Sequence, residues 1–211
     1  FKQIAGVRAD ASVILYSDGR KLAEDKGEVQ LTDYGISGIP VFQVSRFAAR
    51  ALDEGRDVRA VLNFYPERPE AETRRMLKER SERLKERQAE DFFSGWIHKK
   101  LAALFLKRAG IRPDQMAGSL TEAQIQTLGD LLCRFEVSVN GTNSFEQAQI
   151  CCGGVDVREV DAQTMESKKV KGLYFAGEIL DVDGICGGYN LQWAWSSGAA
   201  AGKCAGRESD K

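Results

Sequence analysis

The chain has 211 residues, of which 43% are hydrophobic and 29% charged, with 30 basic and 31 acidic side chains and a formal net charge of −1. This balance excludes the basic excess that nucleic acid or an anionic membrane attracts, and the hydrophobic fraction excludes a disordered polymer. No apolar run is long enough to span a bilayer. The first residue is Phe1 rather than methionine, which indicates a processed or excised chain.

The single histidine and the cysteines limit the chemistry further. His98 lies in a predicted amphipathic helix and is expected to be structural, so a Ser–His or Cys–His pair is not predicted unless His98 supplies the base. An odd number of cysteines without a signal peptide indicates reduced thiols and a cytoplasmic protein. No metal site is predicted, since no C-x-x-C spacing occurs among Cys133, Cys151, Cys152, Cys186 and Cys204.

Residues 1–66 are predicted to form a hairpin-rich sheet or a small β-barrel. Turn chemistry at Ser17-Asp18-Gly19 separates the first two strands. A helix is expected to begin at Pro40, with Gly55 as its C-terminal cap. The strands themselves are predicted over residues 11–16, 27–32 and 58–64.

Residues 67–133 are predicted to be an inserted module of three helices. The first covers 67–91, where interspersed Glu, Arg and Lys favour a solvated helix with i,i+4 ion pairs over a basic recognition helix. The second is predicted over 92–105, because its aromatic and aliphatic residues form a broad apolar face. A capping box at Thr121 and Gln124 predicts the start of the third.

The sheet is expected to resume over residues 134–150. Every second residue from Phe135 to Val139 is apolar, Asn140-Gly141 favours a hairpin turn, and a returning strand is predicted over 145–150. The predicted organisation is therefore the first barrel segment (1–66), the helical insert (67–133), the returning barrel segment (134–150) and a last segment (151–211).

The most informative stretch is 172–202. A short buried strand over 173–176 is predicted to deliver Glu178 at its carboxyl end, where open α/β sheets bind ligands. Gly187-Gly188 then leave backbone N–H groups accessible before a helix with Asn190 as N-cap. Glycines within this helix cost about 1 kcal/mol each relative to alanine, so close packing against a sheet is expected.

The residues alone leave two interpretations of this stretch open. In the first, the strand, the carboxylate and the glycine turn form a ligand-binding edge. In the second, the glycines only make a tight turn and Glu178 is solvated.

A resemblance to a known family favours the first interpretation. Residues 176–198 resemble the C-terminal FAD-binding signature of the aminoacetone oxidase family, which are bacterial NAD(P)/FAD-dependent oxidoreductases. Residues 32–38 resemble the family's Thr-x-Tyr-Gly-x-Ser-Gly segment, and 149–155 stand in the place of its Gly-Gly-Val segment. The resemblance covers essentially the whole chain, and its most specific blocks are Ala176-Gly177-Glu178, Leu180-Asp181-Val182-Asp183-Gly184, Gly187 through Ala194 and Trp195-Ser196-Ser197-Gly198.

The resemblance implies roles for individual residues. Glu178 is expected to hydrogen-bond the ribityl chain of FAD, and the N-terminus of the following helix is expected to face the pyrimidine edge of the flavin ring. A positive helix end at that position stabilises negative charge on the ring. The implied cofactor-binding residues are Gly153, Gly154, Gly177, Glu178, Gly187, Gly188, Tyr189, Asn190 and Leu191.

The chain departs from the family pattern in three ways. Cys151-Cys152 stand where many relatives have Thr-Ala, which puts a hydroxyl contribution in doubt, and buried thiols lining a turn are favoured over a redox dithiol. Ile39 separates Gly38 from Pro40, where many relatives have Pro directly after Gly. The sequence also contains no G-x-G-x-x-G, the motif that admits the diphosphate of a dinucleotide.

The predicted fold is α+β: a small β-barrel with an inserted helical module, plus the C-terminal strand–helix edge of an FAD-binding α/β domain. The predicted function is that of a fragment of a flavin-dependent oxidoreductase, whose partners are a small-molecule substrate, NAD(P)H and a missing N-terminal segment. We expect the chain alone to be inactive and to lose FAD. A catalytically silent barrel and helical module is the alternative, and no catalytic residue is assigned.

Overall fold

The computed structural model describes residues 1–209 and divides into two compact units, Phe1–Thr142 and Asn143–Lys211. The first is called the N-terminal unit and the second the C-terminal unit. The strands are β1 (Val7–Ser17), β2 (Arg20–Leu31), β3 (Ile36–Ser37), β4 (Val58–Asn63) and β5 (Phe135–Ser138). The helices are α1 (Ile39–Asp53), α2 (Glu70–Arg83), α3 (Lys99–Arg108), α4 (Glu122–Cys133) and α5 (Tyr189–Ser209).

The N-terminal unit is built on one antiparallel sheet with strand order β3-β2-β1-β4-β5. The predicted turn between β1 and β2 is confirmed, because Asp18 and Gly19 both have positive φ, as a two-residue hairpin turn requires. The predicted barrel is in fact an open, curled half-barrel, since β3 and β5 form its two edges.

Helix α1 covers one face of this sheet. Pro40 lies in its first turn, as predicted, and Gly55 follows its C-terminus with φ +72°. Val44, Ala48 and Ala51 are buried against the strands, at the three- and four-residue spacing of one helix face.

The helix predicted over 67–91 is confirmed in part: α2 forms from Glu70 to Arg83, and residues 84–91 form turns instead. Arg68–Glu72, Arg74–Glu70 and Arg75–Glu79 pair along the helix at i,i+4, while Leu77 is fully buried. The capping box that begins α4 is also confirmed, because the Thr121 hydroxyl accepts from Gln124 N at 3.2 Å and Gln124 Oε1 accepts from Thr121 N at 3.0 Å.

The predicted helix over 92–105 is wrong in its first half, since the helix begins only at Lys99. Gly95 has φ +76°, which interrupts the helical backbone. The Arg80 guanidinium holds this non-helical segment, because it donates to the carbonyl oxygens of Phe92 and Ser94. His98 is structural, but as the N-cap of α3: its Nδ1 accepts from Lys100 N at 3.1 Å.

The predicted hairpin at Asn140-Gly141 is wrong as well. β5 pairs with β4, and residues 139–150 form no returning strand; they contain a 3₁₀ turn at Phe145–Gln147. The strand predicted over 145–150 has no buried face to specify it, since Phe145 is 83% exposed and Ile150 is also exposed.

The core of the N-terminal unit contains a cluster of aromatic rings. Phe64, Phe93, Phe105 and Phe135 contact one another at centroid distances from 5.9 to 6.3 Å. They come from the residue that follows β4, from β5, from α3 and from the turn before α3, so this cluster joins the sheet to the helical segment. Within residues 1–209, no helix combines the length and the apolar character needed to cross a bilayer.

Candidate functional site

The predicted site residues all lie in the C-terminal unit, around the turn that carries Glu178. The strand predicted over 173–176 is not formed in the described chain. Tyr174 makes a single antiparallel bridge with Glu166, and Phe175 N donates to Met165 O at 3.0 Å. A strand needs a continued ladder of such pairs. Glu178 therefore follows a bridge and lies in a 3₁₀ turn, Gly177–Ile179.

The backbone of Gly177 is held on both sides by α5. Its N–H donates to Ser197 Oγ at 2.9 Å, and its carbonyl oxygen accepts from Trp193 Nε1 at 3.2 Å. The Ser197 hydroxyl also donates to Trp193 O at 2.6 Å, and Ser197 is 2% exposed. The cofactor-binding residues implied by the sequence include neither Trp193 nor Ser197. The signal that could have identified Ser197 was a hydroxyl side chain within a helix segment of otherwise small residues.

The Glu178 carboxylate links this turn to the loop that contains Cys151 and Cys152, called the cysteine loop. Its Oε1 accepts from Cys151 N at 2.9 Å, and the side chain is exposed. Its Oε2 has no hydrogen-bond partner within residues 1–209. One oxygen is therefore engaged by the protein, and the other is available to an external donor.

Gly154 allows two backbone segments to approach closely. Val155 N donates to Ile179 O at 2.8 Å, and Asp181 N donates to Val155 O at 3.0 Å. A Cβ on Gly154 would lie 2.5 Å from Ile179 O, closer than side chains tolerate, at a φ of +148°. Gly153, with φ +99°, instead has open space where its Cβ would be. The two glycines thus differ: Gly154 accommodates protein backbone, and Gly153 leaves an accessible surface.

The glycine loop before α5 is held by Asn190. The helix begins at Tyr189, so the prediction of Asn190 as N-cap is wrong. Its side chain instead binds both backbone groups of Gly184, accepting from the N–H at 2.7 Å and donating to the carbonyl at 3.2 Å. A Cβ on Gly188 would meet nothing within 4 Å, and Tyr189 and Leu191 are exposed.

The small-residue part of α5 is packed on one side only. Ser197 and Ala201 are buried. Gly198 and Gly202 are exposed, and no described atom lies within 4 Å of where their Cβ atoms would be. The close packing predicted for these glycines is therefore not formed among the described residues.

The cysteines of this unit are more accessible than predicted. Cys151, Cys152 and Cys186 are exposed, so the expectation of buried thiols lining a turn is wrong. Cys151 contacts the Glu178 carboxylate through its backbone N–H and leaves its thiol exposed. Over residues 1–209, His, Cys, Asp and Glu side chains form no group of three with metal-binding geometry.

Two aspartates stabilise the turns that follow the cysteine loop. Asp161 accepts from the N–H groups of Gln163 and Thr164 at 2.9 and 3.0 Å, and these bonds lower the pKa of its carboxyl. Asp156 accepts from the Arg158 backbone N–H at 2.9 Å and pairs with its guanidinium, which lowers the pKa of Asp156 from 3.8 to about 2.

We expect acidification to loosen this segment in a defined window. The pKa of Asp156 is lower in the folded than in the unfolded chain, so its contribution to stability is complete above pH 3.8 and is lost as the pH falls towards about 2. An NMR titration of the Asp156 side-chain carboxyl should give a midpoint near the lower value. Arg158→Gln should raise that midpoint, and a wild-type midpoint near 3.8 would contradict the ion pair.

Comparison with known proteins identifies the family. The family described as "HI0933-like protein Rossmann domain" matches residues 19–204. A 3-dehydro-bile acid delta(4,6)-reductase of Clostridium scindens is 42% identical over 97% of this chain and 50% of its own length. Ribosomal RNA dihydrouridine synthases are also similar: that of Haemophilus influenzae is 35% identical over 82% of this chain and 41% of its own, and that of Escherichia coli 34% identical over 92% and 45%.

The chain spans about half the length of the curated relatives it matches. The family match covers nearly all of it, from the turn of the first hairpin to the last third of α5. The narrower resemblance to the aminoacetone oxidase family stays a prediction. The chain belongs to the HI0933-like Rossmann-domain family, a flavoprotein oxidoreductase family of the FAD-binding type.

Proposed function

We propose that this chain supplies the flavin-ring side of an FAD-dependent reductase that saturates a carbon–carbon double bond conjugated to a carbonyl group. The observation that carries the proposal is the Glu178 carboxylate, anchored through one oxygen to Cys151 N with its other oxygen open. FAD, when bound, supplies the hydride that adds to the double bond. The family and its reductase member support this assignment.

The residues around Glu178 fit a flavin. A carboxylate oxygen accepts hydrogen bonds, and a ribityl chain offers hydroxyl donors. Gly153 and Gly188 present backbone with no atom within 4 Å of a would-be Cβ, which leaves room for a flat ring to approach. We infer that Glu178 holds the ribityl chain while the backbone at Gly153 and Gly188 admits the ring.

The N-terminus of α5 suits the other end of the ring. The first turn of a helix has backbone N–H groups without intrahelical partners and a partial positive charge. Tyr189, Asn190 and Leu191 form that turn. We propose that their backbone faces the pyrimidine edge and stabilises negative charge there, while the Asn190 side chain stays engaged with Gly184.

The named relatives share one chemistry. A 3-oxo steroid with Δ4 and Δ6 double bonds and a uridine both contain a carbon–carbon double bond conjugated to a carbonyl, and the named activity of each relative saturates such a bond. We propose a small, largely apolar enone as the substrate of this protein, with NAD(P)H as the electron source. RNA is disfavoured because 30 basic and 31 acidic side chains give no basic excess.

The test uses the intact protein loaded with FAD. The flavin is reduced without oxygen and mixed in parallel with a 3-oxo-Δ4,6 steroid and with a uridine-containing RNA. We expect the flavin absorbance to return only with the steroid, together with a product that has gained two hydrogens. Reoxidation by the RNA alone would reject the substrate class, and a protein that binds no flavin would favour the silent module.

A further inference from the structure

Three polar side chains of α5 bind the backbone of the segment from Gly177 to Gly184. Asn190, Trp193 and Ser197 lie at positions i, i+3 and i+7, which places them on one face of the helix. Trp193 and Ser197 hold the two backbone groups of Gly177, and Asn190 holds the two backbone groups of Gly184. This face of α5 therefore determines the backbone orientation at both ends of the segment 177–184.

We propose that Trp193 and Ser197 are positioning residues for Glu178. Ser197 binds the peptide group before the Gly177 Cα, and Trp193 binds the peptide group after it. The second peptide group joins Gly177 to Glu178. The orientation of this peptide group sets the direction in which the Glu178 side chain leaves the backbone. The Ser197 hydroxyl is itself fixed, because it is buried and donates to Trp193 O at 2.6 Å.

The chain of contacts extends from α5 to the cysteine loop. The helix side chains hold Gly177, Gly177 orients Glu178, and Glu178 Oε1 accepts from Cys151 N. Loss of either hydrogen bond to Gly177 is expected to weaken the Glu178–Cys151 contact, although neither side chain touches Cys151 N. The consequence for FAD rests on the proposed function, whereas the consequence for Cys151 does not.

Two variants and two matched controls test the proposal. Ser197→Ala removes the acceptor for Gly177 N, and Trp193→Phe keeps a ring but removes the donor to Gly177 O. Ser196→Ala and Trp195→Phe make the same changes at exposed neighbours on the same helix, whose side chains do not hydrogen-bond Gly177. Ser197→Thr, which keeps a hydroxyl, serves as the rescue.

The first measurement is made without FAD. We expect amide hydrogen exchange at Gly177 to become about three- to tenfold faster in Ser197→Ala, the range for one lost hydrogen bond. The Cys151 amide resonance should move in both Ser197→Ala and Trp193→Phe and return in Ser197→Thr. The second measurement is FAD affinity of the intact protein, for which we expect an increase in Kd of about tenfold in both variants.

The outcomes are separable. Unchanged Cys151 resonances in Ser197→Ala and Trp193→Phe would overturn the positioning role, as would equal shifts in the two controls. A wild-type protein that binds no FAD would reject the proposed function, and the amide measurements would still decide the role of Trp193 and Ser197. If Ser197→Ala fails to fold, Trp193→Phe decides it.

Discussion

Gly154→Val is expected to unfold the loop that joins the cysteines to the Glu178 turn. A Cβ at this position would lie 2.5 Å from Ile179 O, 2.9 Å from Asp181 N and 2.9 Å from the Leu180 carbonyl carbon. All three atoms are backbone, so no side-chain rotation relieves the overlap. The φ of +148° adds strain for any residue with a side chain. We expect a loss of about 3 kcal/mol or more in local stability.

Hydrogen exchange of the bridging amides measures this effect directly. Val155 N and Asp181 N donate across the approach to Ile179 O and Val155 O, so both amides should lose protection in Gly154→Val. Gly153→Val is the matched control: its φ of +99° is strained, but its Cβ would meet nothing within 4 Å. Equal loss of protection in the two variants would show that strain at φ, not the backbone approach, controls this loop.

Glu178→Ala is expected to weaken FAD binding by about 10- to 100-fold, the range for one hydrogen bond to a charged group. The substitution removes the open oxygen proposed to accept from the ribityl chain and the oxygen that anchors Cys151 N. Glu178→Gln keeps a carbonyl oxygen for Cys151 N but loses the negative charge, so we expect an intermediate affinity.

Flavin fluorescence or absorbance titration of the intact protein gives these affinities. Glu146→Ala removes an exposed carboxylate from the same unit and serves as the control. If Glu178→Ala binds FAD as tightly as the wild type, Glu178 has no role in the cofactor site. A loss in Glu178→Ala that Glu178→Gln fully restores would assign the effect to the Cys151 contact rather than to the charge.

Local sequence signals predicted the elements whose ends are determined by nearby residues. The Asp18-Gly19 turn, the Thr121–Gln124 capping box and the start of α1 at Pro40 were all recovered, because each depends on residues within one turn. The helix predicted over 92–105 begins only at Lys99, because Gly95 has φ +76° and Arg80, from another helix, holds the backbone of Phe92 and Ser94 in a turn. Apolar periodicity carries no information about such a partner.

In the candidate site, too, the features set by nearby residues were predicted and those set by distant contacts were not. Periodicity and glycine spacing located Glu178 and the start of the following helix to within a few residues. They assigned Asn190 to the wrong role, since capping and binding of the Gly184 backbone require the same residue type. They also missed Ser197, whose importance comes from its burial and its contact with Gly177 rather than from its identity.

The sequence by itself determined the broad class, a flavoprotein oxidoreductase family, and most helix positions, because these depend on residue identity and short-range spacing. Only the tertiary structure decided that Gly154 faces backbone while Gly153 faces open space, and that Glu178 binds Cys151 N. Both depend on which distant segments approach each other. That approach is governed by the packing and hydrogen bonding of the whole unit, which short-range spacing does not encode.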